Sequence, residues 1–105
     1  MAQPLPAEQY PLIRDQTGRI MVEGTRVPLD SIVYAFREGA TPEEITFRFP
    51  SLALRDVYAS ITYYLRHTED LDKYIEAREE AANEVRERAG QDGAAIRQRL
   101  LRRRA

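Results

Sequence analysis

The sequence contains no cysteine, one histidine, one lysine and no long apolar run. Without cysteine there is no disulfide framework, no thiolate metal site and no cysteine nucleophile. No apolar stretch approaches the roughly 20 residues a membrane helix needs, and no basic segment followed by an apolar run opens the chain as a signal peptide would. The expectation is a soluble, cytoplasmic protein with no membrane partner. The single histidine, His67, falls where a helix should end, and an imidazolium there suits the carbonyl end of the helix dipole. Neighbouring acids such as Glu43 and Glu44, Glu69 and Asp70, or Glu79 and Glu80 have no histidine or cysteine beside them. They read as solvated helix faces rather than metal ligands. The five glycines are dispersed and none opens a phosphate-cradling loop. No catalytic residue, no metal and no cofactor is expected, so the chain is read as not an enzyme.

What is present is 105 residues, enough for one small domain and a terminal extension. Such a domain buries only about 60 to 65% of its unfolded surface, which leaves a small margin of stability. The net charge of −1 hides a segregated distribution. From Glu69 to Asp92 nine acids face four bases, whereas residues 94–105 hold five arginines and no acid. All but Lys73 of the sixteen basic residues are arginine. That bias reflects genomic composition or a use of planar recognition of carboxylate and phosphate.

Three segments follow from the pattern: an extended arm over 1–11, a β-hairpin plus trihelical core over 12–67, and a helical extension over 68–105. Pro4, Pro6 and Pro11 without apolar periodicity predict the arm. Leu12 and Ile13, the turn Asp15 to Gly18 and the run Arg19 to Val22 predict a hairpin. Gly24 and Thr25 turn the chain toward Arg26, Val27 and Pro28, where a third short strand is possible. A first helix is expected from Leu29 to Glu38, with Leu29, Ile32, Val33 and Phe36 on one face and Gly39 as its left-handed cap. Thr41, Pro42 and Glu44 supply a hydroxyl N-cap, a proline at the first helical position and the carboxylate of a capping box. Pro50 ends that second helix by forcing Phe49 out of helical geometry.

A third helix is expected from Ala53 to His67, burying Leu54, Val57, Ile61 and Tyr64 or Leu65. Phe47, off the stripe of Ile45 and Phe49, reads as a half-buried packing residue or as a partner contact. A fourth helix is expected from Glu69 to Ala89 on the thin stripe Leu71, Ile75, Arg78, Ala82, Val85 and Ala89. Gly90 and Gly93 predict a break before a last basic turn or two of helix. The fold class is mainly α, with a short N-terminal β-hairpin, a trihelical helix-turn-helix (homeodomain-like) core and a C-terminal helical extension.

Taken alone, Gly24-Thr25-Arg26-Val27-Pro28 is a structural turn. Together with a helix ending at Gly39, then Pro42-Glu43-Glu44-Ile45, Phe49-Pro50-x-Leu52 and Asp56-Val57, it resembles domain-of-unknown-function family four-three-three. The resemblance covers about Ile13 to Tyr64. Ile20 stands where many relatives carry proline, and Ala53 replaces the usual Ser or Thr before the third helix. Members of this family resemble VapB-type antitoxins and are often paired with a PIN-like toxin. The resemblance therefore implies the antitoxin of a type II toxin–antitoxin pair, which binds operator DNA as an autorepressor and covers a ribonuclease with its C-terminal part.

The residues accommodate both roles. On the third helix Arg55, Tyr58, Ala59, Thr62 and Arg66 form a second stripe off the core face. Arg55 and Arg66 can read guanine, and Tyr58 and Thr62 can hold phosphate; the alternative is an ordinary solvent face. Asp56 and Glu44 nearby weaken nonspecific attraction, so DNA binding would need a homodimer or larger assembly. PIN-like nucleases are implied to hold a divalent metal among carboxylates, a pocket that Arg97, Arg99, Arg102, Arg103 or Arg104 can enter while Ile96, Leu100 and Leu101 anchor the segment. The alternatives for this tail are a solubilising end or a nonspecific nucleic-acid arm. For the whole chain they are a stand-alone DNA-binding regulator or a noncatalytic oligomerisation module.

Overall fold

The computed structural model describes residues 2–104, with side chains over residues 2–102. The chain divides into two units, residues 1–68 and 69–105. Residues 2–10 have no regular secondary structure, and residues 2–9 are exposed. Tyr10 is half-buried, its ring meeting Tyr63 edge-on at 5.0 Å.

Strands β1 (Leu12–Arg14) and β2 (Ile20–Val22) pair antiparallel, with Leu12 opposite Val22, Ile13 opposite Met21 and Arg14 opposite Ile20. Asp15 organises the turn between them. Its carboxylate accepts from the Thr17 amide at 2.8 Å, the Thr17 hydroxyl at 2.6 Å and the Arg19 amide at 3.0 Å. These bonds favour the charged form, the Thr17 hydroxyl most, and lower the Asp15 pKa. After β2 the chain turns at Gly24, whose φ of 76° lies in the left-handed region. The expected third strand is a single bridge between Met21 and Pro28, because Pro28 has no N–H with which to extend a ladder.

Helix α1 (Leu29–Arg37) buries Leu29, Ile32, Val33 and Ala35, and Phe36 packs partly buried against the core. It ends as Gly39 predicts. With φ at 93°, the Gly39 amide reaches the Phe36 carbonyl at 3.0 Å and the Ala40 amide reaches the Ala35 carbonyl at 3.0 Å, the two bonds of a Schellman motif. Helix α2 (Pro42–Arg48) starts at Thr41, whose hydroxyl oxygen accepts the Glu44 amide at 3.2 Å and whose hydroxyl lies 3.2 Å from Glu44 Oε1. Phe49 leaves helical geometry at φ −123° ahead of Pro50. The turn closes through the Leu52 amide to the Phe49 carbonyl at 2.9 Å.

Helix α3 (Leu54–Arg66) buries Val57, Ile61 and Tyr64 as expected, and it buries Ser60 instead of the expected Leu54. Leu54 is 40% and Leu65 59% exposed. Both sit on the shoulder beyond Ile61, and Ser60 occupies the opposite shoulder. Ser60 is buried without an orphaned hydroxyl because Oγ donates to the Asp56 carbonyl at 2.7 Å. Phe47 is 88% exposed rather than half-buried, since two residues beyond fully buried Ile45 on a helix point to the opposite side. The Arg37 Nε donates to the Tyr64 hydroxyl at 3.4 Å, linking α1 to α3. Within the first unit the core gathers Val22 from the hairpin, Ile32 from α1, Ile45 from α2 and Val57 and Ile61 from α3.

Helix α4 (Thr68–Arg104) runs without interruption, so the expected break at Gly90 and Gly93 does not occur. Neither glycine takes a positive φ, and a Cβ at either would meet nothing within 4 Å. Each glycine costs the helix about 1 kcal/mol relative to alanine. The strong formers on both sides, from Arg86 to Ala89 and from Ala94 to Gln98, offset that loss. Among the described residues no helix is long and apolar enough to cross a membrane.

Candidate nucleic-acid and partner interfaces

The outward stripe of α3 places Arg55, Tyr58, Thr62 and Arg66 on one exposed face. The helix is positioned by Val57, Ile61 and Tyr64 on its other side, and the short link from Phe49 to Ala53 fixes it against α2. Ala53 provides no side-chain cap, and Asp56 in the first turn complements the dipole instead.

The two hydroxyls of the stripe are already engaged. Tyr58 donates to Glu43 Oε1 of α2 at 2.7 Å, and Thr62 donates to the Tyr58 carbonyl at 2.9 Å. The Tyr58 bond lowers the Glu43 pKa below the ordinary carboxylate value, and Glu43 in turn raises the Tyr58 pKa above the ordinary phenol value. A phosphate approaching Tyr58 therefore competes with an ionised carboxylate on the same surface. Arg55 is 88% exposed and only 3.9 Å from Asp56 Oδ1, a loose pair that leaves the guanidinium accessible. Arg66 is exposed at the far end of the helix. The charge-bearing part of the stripe is thus its two arginines.

The Gly24 turn is held by Thr25, whose hydroxyl donates to the Val22 carbonyl at 2.9 Å and accepts the Val27 amide at 3.1 Å. Arg26 is exposed, Pro28 is the N-cap of α1, and Thr41, Pro42, Glu44 and Pro50 occupy the cap and breaker positions predicted for them. These motif residues shape the backbone that carries α2 and α3.

On α4, Ile96, Arg97, Arg99, Leu100, Leu101 and Arg102 are all exposed. Ile96 and Leu100 share a face, as do Arg97 and Leu101 beside it. Arg103 and Arg104 continue the helical backbone, and their side chains lie outside the described residues. Ala105 lies outside them altogether.

Sequence reasoning missed two contacts because their members are distant in the chain: Tyr58 with Glu43, and Tyr10 with Tyr63. The second continues to His67, whose ring is 4.5 Å from that of Tyr63. His67 caps α3, its amide directed to the carbonyls of Tyr63 and Tyr64 at 3.1 Å. Among the described residues no group of three or more His, Asp or Glu is placed to hold a metal ion.

No curated protein and no solved structure matches the chain significantly. The family described as Protein of unknown function (DUF433) matches over residues 14–64, the span from the end of β1 through Tyr64 of α3. Through residues 14–64 the chain belongs to the DUF433 family.

Proposed function

We propose that the chain is the noncatalytic antitoxin of a type II toxin–antitoxin pair, acting in the cytoplasm. In this reading Ile96 to Arg104 neutralise a PIN-like ribonuclease, and α3 contacts operator DNA as part of a dimer or larger assembly. The observation that carries it is the outer end of α4. There Ile96, Leu100 and Leu101 are each more than half exposed beside Arg97, Arg99 and Arg102. Exposed apolar anchors interleaved with guanidiniums are the composition of a helix that docks in an apolar groove and reaches carboxylates at its rim. An arginine entering a carboxylate cluster makes strong bidentate bonds where water is excluded, and it occupies the place a divalent metal would take.

DNA contact by Arg55 and Arg66 is supported by the exposure of both guanidiniums on one helix face. It is opposed by Glu43, and a dimer that doubles the arginine contacts offsets that repulsion. The test is co-expression with the product of the adjacent gene, with that product assayed for ribonuclease activity. The full chain is expected to co-purify with it and to restore growth, and a chain ending before Ala94 to do neither. Operator binding without any nuclease partner would leave a stand-alone regulator. Binding of neither would leave an oligomerisation module.

A further inference from the structure

Helix α4 carries an apolar stripe that its own chain leaves in solvent over its outer half. Ala82, Val85, Ala89, Gly93, Ile96 and Leu100 recur three or four residues apart and so share one face. Val85, Ile96 and Leu100 are 66%, 57% and 56% exposed. Upstream on the same helix, Tyr74, Ala77, Arg78, Ala81, Ala82 and Val85 line a shallow, largely apolar concavity. Its three alanines let a second helix approach closely.

The charge pattern says which helix fits. Residues 69–92 carry nine acids against four bases, a net −5, and residues 94–105 carry five arginines and no acid, a net +5. A parallel pair of such helices sets like charge against like. An antiparallel pair sets the acidic stretch of each against the basic end of the other. The register is specific: Glu79 and Arg97 lie on the same flank of the stripe, each nine residues from Arg88, and Asp72 and Arg104 are each sixteen residues from it. Pairing two copies antiparallel about Arg88 brings Glu79 level with the partner's Arg97 on that flank.

We propose that α4 is a self-association surface. Two copies of this chain pair through it antiparallel, with Ile96 and Leu100 of each seated over the alanine-lined concavity of the other and the arginine end lying along the acidic stretch. The contact satisfies both the exposed apolar stripe and the segregated charge; it stands without the toxin reading and competes with a toxin for Ile96, Leu100 and Arg97.

Sedimentation equilibrium of the full chain at about 50 mM and about 500 mM salt reads the prediction. A dimer is expected that weakens as salt rises. Arg97→Glu should weaken it by about threefold or more, since the symmetric pair loses two such contacts. Adding Glu79→Arg to that variant should restore it. Circular dichroism of each variant checks that the helix is retained. Orientation is read by disulfide trapping, which the absence of native cysteine makes clean. Ala82→Cys mixed with Ile96→Cys should give the mixed disulfide, and Ile96→Cys alone little of its own. A chain that stays monomeric, a dimer whose affinity ignores the charge reversals, or efficient self-disulfides of Ile96→Cys would each overturn the proposal.

Discussion

Glycine at position 39 and glycine at position 90 invite the same substitution and should answer with opposite sign. Gly39 has φ of 93° and closes α1, whereas Gly90 is an ordinary helical residue inside α4. A Cβ at either would meet nothing within 4 Å, so packing contributes nothing and only the backbone decides. At position 39 an alanine must hold a left-handed conformation that costs an L-residue about 1–2 kcal/mol. At position 90 alanine gains about 1 kcal/mol of helix propensity. For a domain of this size, 1 kcal/mol moves the unfolding midpoint by roughly 4–8 °C. Thermal unfolding followed by circular dichroism should therefore show Gly39→Ala melting several degrees lower, with Gly39→Asn losing less because asparagine tolerates the left-handed region. Hydrogen exchange should show stronger amide protection around position 90 in Gly90→Ala. An unchanged midpoint for Gly39→Ala, or weaker protection in Gly90→Ala, would refute the assignment of backbone geometry as the cause.

Replacing Tyr58 with Phe removes the 2.7 Å bond to Glu43 and should raise the Glu43 pKa toward its ordinary value, because that bond is the largest of the effects that lower it. Because the folded pKa is lowered, the stabilisation is present above the unfolded value and is lost as pH falls through the folded one. The stability gap between wild type and Tyr58→Phe should accordingly close in acid, and carboxyl NMR titration of Glu43 reads the shift directly. Tyr58 has the raised pKa, so its own contribution is whole below the unfolded phenol value and disappears as pH climbs through the folded one. Ile45→Ala empties a fully buried site at the centre of the trihelical core and should cost about 2–5 kcal/mol in chemical denaturation; a loss under about 1 kcal/mol would contradict that placement. Arg55→Ala with Arg66→Ala should weaken operator binding and reduce the salt slope by about one per arginine, whereas Glu43→Gln should strengthen it; unchanged affinity at matched salt would remove α3 from the DNA interface.

The elements that could be read from the sequence are those whose causes are local. Thr41 and Pro42 mark the start of α2, Gly39 the end of α1 and Pro50 the end of α2, because caps and breakers act within one turn of the residues that carry them. The hairpin was legible from Asp15 to Gly18 for the same reason. The burial of Ser60 in preference to Leu54 or Leu65 was not legible. It depends on which shoulder of α3 faces α1 and α2, and on a hydroxyl that satisfies itself against the Asp56 carbonyl. Phe47, off the stripe of Ile45 and Phe49, reads as half-buried packing or as a partner contact, and only the rotation of α2 removes the half-buried reading.

Gly90 and Gly93 misled. Two weak positions read as a break, but a helix propagates across them when both flanks are strong formers, because elongation costs less than a new nucleus. The candidate DNA stripe was legible as a spacing on α3, yet its chemistry was not. The commitments of Tyr58 to Glu43 and of Thr62 to the Tyr58 carbonyl arise from tertiary packing and from helix back-bonding. They leave Arg55 and Arg66 as the residues with charge to offer.

Ribonuclease activity of the adjacent gene's product, assayed alone, with the full chain, and with the variant Arg97→Ala, Arg99→Ala and Arg102→Ala, measures neutralisation most directly. Suppression by the full chain should weaken about tenfold or more in the triple variant, with its helical signal retained. Activity untouched by the full chain would contradict the antitoxin reading, and undiminished suppression by the variant would contradict the assignment of neutralisation to the arginine end of α4.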